Sequence, residues 1–387
     1  MKEKVKILFF KFLSTFKPFG EKFFKKKFPE RASNILIFSG VHIGDIIRIL
    51  PAIRMLHQLF PEAKMSILCR HDEKFFEFFP EKKLISEYIL YDPQKKHKGI
   101  VKKLKLVKFL KRKKFDLIYA PSYGQGMCEK SIMVALIGAP YRIGFKYKGC
   151  GFFNNIKIKL QNDLPILKQN LLLLKKDKFS NFDESIQIIL PDEDIQFARK
   201  LLIKQHVNNF IISVHPGVSW EAKYRCWPIE KFIQLLQKIF HNYENKVKVV
   251  ILGDKSEILF SHQIPATFKK HFSLIDMIGK TTLGQMMAII KHSHLFIGND
   301  SGPLHIARAF KIPSIGIFGP TSPKQVISDW ENFIPVQKKL PCVPCYLHQP
   351  FFKPKCKEPL CLTSLSVDEV WTAVETMLKK VICLNMT

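Results

Sequence analysis

The sequence is short of acidic residues: 33 Asp and Glu stand against 62 Lys and Arg, leaving a formal charge of +29 over 387 residues. A deficit of that size points to a polyanionic partner, whether nucleic acid, an anionic membrane or a phosphorylated substrate, without choosing among them. No stretch reaches the ~18 consecutive apolar residues that a membrane-spanning helix needs. The nine cysteines are too dispersed for a secreted disulfide framework. Five of them, Cys69, Cys128, Cys150, Cys226 and Cys383, are scattered along the chain. Neither G-x-G-x-x-G nor G-x-x-x-x-G-K-[ST] occurs, so neither nicotinamide binding nor P-loop chemistry is supported.

What is present is apolar material enough for sizeable cores, at 47% hydrophobic residues, in a chain long enough for two domains. Residues 1–33 read as a basic, Phe-rich leader, with ten Lys and Arg against three Glu through Arg31. Lysines break its apolar runs before a signal-peptide core can form, so a cytoplasmic protein is expected. As a helix the leader would set Phe and Leu opposite Lys, which suits an anionic bilayer surface; a solvated tail, or a helix covering a domain, fits equally.

From Asn34 the pattern is NILIFSG, an apolar run ending in Gly, then helical spacing through GDIIRILPAIRMLHQLF, then the apolar run AKMSILCR. Strand, glycine turn, helix and strand within ~35 residues make a βαβ unit of a parallel sheet. EYILYD, FDLIYAPSY and an apolar helix around Ile132–Ile137 extend it. Eleven Lys and Arg and no acid lie from Lys95 to Lys114, where Ile100, Val101, Leu104, Val107 and Leu110 keep helical spacing. An amphipathic helix with a cationic outer face is expected there, either a dock for phosphates or membrane or simply a solvated helix.

Near Asn181–Asp194 the chain reads as a crossover, and the same alternation then repeats. FIISVHPG, KVVILGD, HLFIGND and PSIGIFGP read as strands, the last taken as final. WPIEKFIQLLQKIF, TLGQMMAIIKHS and SGPLHIARAF read as helices, with Thr282 and Gln285 forming a capping box. Ser366 and Glu369 cap a further helix, expected to pack back on the first domain. The expected fold is α/β, with two Rossmann-like doubly wound domains and a cleft between them. Its divisions are a leader over 1–33, an N-terminal domain over 34–185, a C-terminal domain over 186–365 and a last helix over 366–387. Ligands in such sheets bind beyond the carboxyl ends of the strands.

Three strand-end turns carry the chemistry. In Gly40-Val41-His42-Ile43-Gly44-Asp45 two glycines allow a tight turn, and Asp45 is either a helix cap or a general base. His215-Pro216-Gly217-Val218-Ser219-Trp220, followed by Lys223 and Arg225, offers a hydroxyl and two cations, as a pyrophosphate requires. Gly298-Asn299-Asp300-Ser301-Gly302-Pro303-Leu304-His305 opens a helix whose amides could hold a phosphate. Asp192-Glu193-Asp194 has the D-x-D form of a metal-binding motif, but its place after Pro191 reads as helix capping. Cys342, Cys345, Cys356 and Cys361 form a C-x2-C-x10-C-x4-C pattern, a possible structural zinc site or a set of thiols in a proline-rich loop.

These three turns, in this order and spacing from about Asn34 to about Val374, resemble glycosyltransferase family nine, the ADP-heptose:lipopolysaccharide heptosyltransferases. The resemblance implies a GT-B fold, with acceptor bound by the first domain and nucleotide sugar mainly by the second. It implies an inverting, metal-independent transfer of heptose from ADP-heptose to a phosphorylated lipopolysaccharide inner-core acceptor at an anionic membrane surface, with no cofactor. By resemblance Asp45 is the general base in a turn with Gly40 and Gly44. Ser219 and Lys223 meet the donor diphosphate, Asp300, Ser301, Gly302, Leu304 and His305 meet phosphates and sugar, and Glu257, four after Gly253, meets the ribose. Arg48 and the Tyr224-Arg225-Cys226 insertion before Trp227-Pro228 depart from the family pattern. The alternatives are the same fold using another nucleotide sugar or glycan acceptor, a silent binding module, and a nucleic-acid-binding protein suggested only by the charge.

Overall fold

The computed structural model describes residues 25–40, 42–147, 150–175, 183–203, 210–243, 246–265, 268, 274–327, 330–346 and 356–386. Most of the basic leader, residues 1–24, and Val41 of the first turn lie outside this set. The chain divides into two compact units, the first ending at Ile186 and the second beginning at Gln187.

In the first unit the six strands are β1 Asn34–Phe38, β2 Lys64–Cys69, β3 Glu87–Leu90, β4 Leu117–Ala120, β5 Tyr141–Lys146 and β6 Ile156–Lys159. They form one sheet in the order β3-β2-β1-β4-β5-β6, with every neighbouring pair parallel. The apolar runs of β1, β2 and β4 are buried because helices cover both faces of a parallel sheet. The segment expected as one helix after β1 is two, Ile43–Ile47 and Leu50–Leu59. Pro51 explains the break: it has no N–H, and its ring excludes the carbonyl four residues back.

The helix Ile100–Arg112 forms as expected, but a different set of side chains faces inward. Leu106, Val107 and Leu110 join the core beside Val134 and Ile137, whereas Ile100, Val101 and Leu104 are exposed. Cys128 and Cys150, two of the scattered cysteines, are joined in a disulfide with Cα atoms 4.8 Å apart. The sheet brings the helix after β4 against the turn after β5, a proximity that 22 residues of sequence separation conceal.

The second unit repeats the plan with β7 Phe210–His215, β8 Val247–Ile251, β9 Leu274–Asp276, β10 Leu295–Asn299, β11 Ser314–Phe318 and β12 Phe333–Gln337. Its order, β12-β11-β10-β7-β8-β9, read from the other edge is that of the first sheet, and it too is wholly parallel. Both are doubly wound sheets of Rossmann order, as expected. The strand taken as final, β11, is followed by β12, whose Pro335 is tolerated because β12 is an edge strand.

Asp192, Glu193 and Asp194 form the first turn of the helix Asp192–Ile203, where negative charge offsets the helix dipole. The capping boxes form: Gln285 N donates to Thr282 Oγ1 at 3.1 Å, and Glu369 N to Ser366 Oγ at 3.2 Å. The last helix, Val367–Met386, belongs to the second unit. Val370, Val374, Met377, Leu378 and Val381 enter the second unit's core, and the helix lies against Ile229–Tyr243, β11 and β12. Its apolar stripe therefore completes one face of the second sheet.

Candidate active-site residues and their relatives

In a sheet of this order the chain leaves in opposite directions from β1 and β4, which opens a crevice at their carboxyl ends. Asp45 and Tyr123 sit on its two sides, one after each strand, and Tyr123 Oη donates to Asp45 Oδ1 at 2.9 Å. Arg48 Nη2 lies 2.6 Å from the same oxygen, and its Nε donates to Gly44 O at 3.1 Å. The Arg48 guanidinium also lies 5.3 Å from the centre of the Tyr123 ring. The other oxygen, Oδ2, accepts from the backbone N–H of His42 at 3.4 Å. Lys130 Nζ donates to Ser39 O at 3.2 Å, adding a second, half-buried cation.

Burial alone would raise the Asp45 pKa. The charges of Arg48 and His42, the Tyr123 hydroxyl and Lys130 outweigh it and hold the carboxyl well below the ordinary carboxylate range. The side chain keeps 16% of its surface exposed, enough for one face to meet a ligand. Gly40 is required here, since any Cβ would overlap the Asp45 side chain. Gly44 is buried in the first turn of the helix.

The equivalent crevice of the second unit lies between the ends of β7 and β10. After β7 come Pro216 and Gly217, exposed Ser219, and a short helix Trp220–Arg225. After β10 come Asp300, buried at 3% exposure, and Ser301 at the head of the helix Gly302–Ala309. Arg225 Nη1 meets Asp300 Oδ2 at 3.2 Å, and the guanidinium lies between the rings of Tyr224 and Tyr346, 5.5 and 5.1 Å from their centres. Lys223 is exposed and makes no ion pair among the described residues. Ser301 Oγ is buried without a hydrogen-bond partner. Asn299 fastens the two loops, its Nδ2 donating to Pro216 O at 2.6 Å and its Oδ1 accepting from Trp227 N at 3.1 Å.

Glu257 lies beside this crevice. Its Oε2 accepts from Asp254 N at 2.8 Å and stands 3.6 Å from His215 Nε2. Gly217 is again obligatory, because a Cβ there would occupy the Glu257 carboxylate. Burial, and secondarily the Asp254 charge, push Glu257 up to about 7, and burial pushes His215 down to about 4. Leu304 is wholly buried and holds its helix on the sheet, so a ligand contact from this position would come through its backbone. His305 is buried at 4% exposure.

The structure thus brings Ser219, Arg225, Glu257, Asp300 and Ser301 to the strand ends of one unit, and Asp45 to those of the other. Arg48, Tyr123 and Lys130 were not singled out as site residues from the sequence. Arg48 is legible only as a departure from a family pattern, and Tyr123 lies 78 residues from its partner in a loop without periodicity. Cys342, Cys356 and Cys361 are free thiols. Burial, then the neighbouring Cys345, Cys356 and Cys342, push Cys361 up to about 11. Among the described residues no group of three or more His, Cys, Asp or Glu side chains is gathered as a metal site would be.

The class these features define is a two-unit, doubly wound α/β protein with polar residues at each strand-reversal crevice. The family model for glycosyltransferase family 9 (heptosyltransferase) matches residues 103–358, and the chain belongs to that family. Lipooligosaccharide heptosyltransferase 2 of Campylobacter jejuni subsp. jejuni serotype O:2 is 26% identical over 354 residues, spanning 89% of this chain and 98% of that protein. Lipopolysaccharide core heptosyltransferase OpsX of Haemophilus influenzae is 25% identical over 301 residues, spanning 76% of this chain and 82% of that protein. The structure of E. coli ADP-heptose lps heptosyltransferase II covers 90% of this chain and 99% of its own, with a TM-score of 0.64 at 16% identity. That likeness is one of fold, a GT-B-like pair of Rossmann units. The chain is a glycosyltransferase by family.

Proposed function

We propose that the protein transfers heptose from ADP-heptose to a lipopolysaccharide inner-core acceptor, with inversion, at the cytoplasmic face of an anionic membrane. Asp45 takes the proton from the acceptor hydroxyl. That oxygen attacks the anomeric carbon, the bond to the donor diphosphate breaks, and ADP leaves with the electron pair. Lys223, the hydroxyl of Ser219 and the amides at Ser301-Gly302 stabilise the charge that develops on the diphosphate. Glu257 takes the ribose, and Asp300 and His305 orient the sugar. Cations and amides supply this stabilisation in the scheme, without a metal-dependent step.

The observation that carries the reading is the Asp45 carboxylate, held ionised and partly open where the first sheet reverses direction. A carboxylate serving only as a helix cap has no need of a buried arginine, a half-buried lysine and a tyrosine from another strand end. A thermal-shift screen of purified protein against nucleotide sugars tests the donor: ADP-heptose should raise the melting temperature more than UDP- or GDP-sugars do. A larger shift with one of those would replace heptose with another sugar on the same fold.

We keep the tetracysteine pattern as a candidate structural zinc site. One zinc per chain in purified protein, lost in Cys361→Ser, supports it; metal-free protein of the same melting temperature contradicts it.

A further inference from the structure

The helix Ile100–Arg112 spends its apolar residues in an unusual way. Three of them, Ile100, Val101 and Leu104, are 76%, 68% and 50% exposed. Their spacing of i, i+1 and i+4 places them together on the outer side of the first turn. The buried side is held by other residues: Leu106, Val107 and Leu110 in the core, Lys103 on Glu129 at 2.7 Å and Lys113 on Glu87 at 2.6 Å. The inward lysines are therefore neutralised by the first unit's own acids. Lys102, Lys105, Lys108, Lys111 and Arg112 are exposed, and no acidic residue lies between Lys95 and Lys114 to offset them.

We propose that this outer face is a docking surface for an anionic lipid bilayer, which Ile100, Val101 and Leu104 enter while the lysines meet the lipid phosphates. Charge complementarity selects the occupant. A soluble polyanion such as nucleic acid would use the cations but gain nothing from three bare aliphatic side chains. An apolar protein groove would take the aliphatics but not a row of cations. A bilayer of acidic lipids takes both at once, since its headgroup boundary accepts a shallow apolar wedge and its phosphates attract the flanking charge. The cost of leaving these aliphatics in water is recovered only at such a boundary. The surface lies outside the residues assigned to sugar transfer, and its test needs neither donor nor acceptor.

The test is flotation of the full-length protein with vesicles of phosphatidylcholine, and with vesicles of phosphatidylcholine mixed with phosphatidylglycerol. The wild-type protein should float with the mixed vesicles only. Lys105→Glu/Lys108→Glu/Lys111→Glu should weaken partition by at least roughly a hundredfold, each cation being worth about fivefold. Ile100→Ser/Val101→Ser/Leu104→Ser should weaken it by at least roughly tenfold. All six side chains are exposed, so both variants should keep the wild-type melting temperature and turnover on a water-soluble acceptor. Three results overturn the proposal: no binding by the wild type; unchanged binding by both variants, which moves the contact elsewhere on the chain; or loss in the lysine variant alone, which makes the face a site for soluble polyanions.

Discussion

Arg48 and Asp45, three residues apart and on the same side of the turn after β1, form an ion pair of 2.6 Å in which both side chains are largely buried. Arg48 is thus part of the site, although it first stands out only as a departure from the family pattern. The pair carries a cost as well as a benefit. A carboxylate next to a buried guanidinium is reliably ionised, but it is a weaker base than a free one. Tyr123 offers a second hydrogen bond to the same oxygen, while Oδ2 accepts the longer bond from His42 N. In the proposed mechanism Oδ2 is the oxygen that takes the proton.

Replacing Arg48 by Met should show what the pair does. Removing Arg48 leaves the largely buried carboxylate with Tyr123, His42 and Lys130 alone to offset its burial, at a cost of up to about 3 kcal/mol. It should also raise the Asp45 pKa. In the wild type this carboxyl is depressed, so its contribution to stability is present above its unfolded value and is lost only in strong acid. In Arg48→Met that loss, and the acid limb of the rate profile, should move to higher pH. Melting temperature and kcat followed against pH check both, and Arg48→Lys should restore part of each.

Glu257 and His215 pull stability in opposite directions with pH. Glu257 is raised to about 7, so its contribution is full below its unfolded value and is lost as pH rises through 7. His215 is lowered to about 4, so its contribution is present above its unfolded value and is lost as pH falls through 4. Glu257→Gln should remove the first trend and leave stability rising with pH across the range below 7. Relative to the wild type the variant should gain up to about 3 kcal/mol at pH 8. Chemical denaturation at pH 5 and pH 8 measures the difference.

Gly40→Ala should damage the site without touching the core. The added methyl meets the Asp45 side chain and must displace it from Tyr123 and Arg48. A loss of kcat of roughly a hundredfold or more, with donor affinity kept, is expected for a misplaced base. Gly217→Ala should instead weaken donor binding, because its methyl displaces Glu257. Opposite patterns in kcat and donor affinity distinguish the two.

The disulfide gives a separate prediction. Closing a loop between residues 22 apart is worth about 3 kcal/mol in the chain-entropy picture. Cys128→Ser should lower stability by about that amount in oxidising buffer and make no difference under reductant. Mass mapping of alkylated cysteines in untreated protein should find Cys128 and Cys150 protected while Cys342 and Cys356, both exposed, react.

Much of the fold is legible in the sequence, for a physical reason. Strands such as Asn34–Phe38 and Leu295–Asn299 are buried on both faces, and so appear as unbroken apolar runs ending at glycine turns. β6 is not legible because it is a half-exposed edge strand of alternating Ile and Lys, and β9 is only three residues long. Of the site, Asp45 and Asp300 are legible because each lies in a turn that follows an apolar strand, and Glu257 only through the resemblance to the family. The partners that set their charge are not. Tyr123 reaches Asp45 only because β4 lies beside β1, and Arg225 reaches Asp300 only because β7 lies beside β10. Sequence spacing records the strands but not which strand ends meet.

The most direct measurement is intact-mass analysis of truncated core acceptor after incubation with ADP-heptose and either wild-type protein or Asp45→Ala. The account predicts that the acceptor gains one heptose with the wild type and none with the variant, while the variant's donor affinity stays within a few-fold. Heptose addition at the wild-type rate by Asp45→Ala, or no mass gain with the wild type, would contradict it.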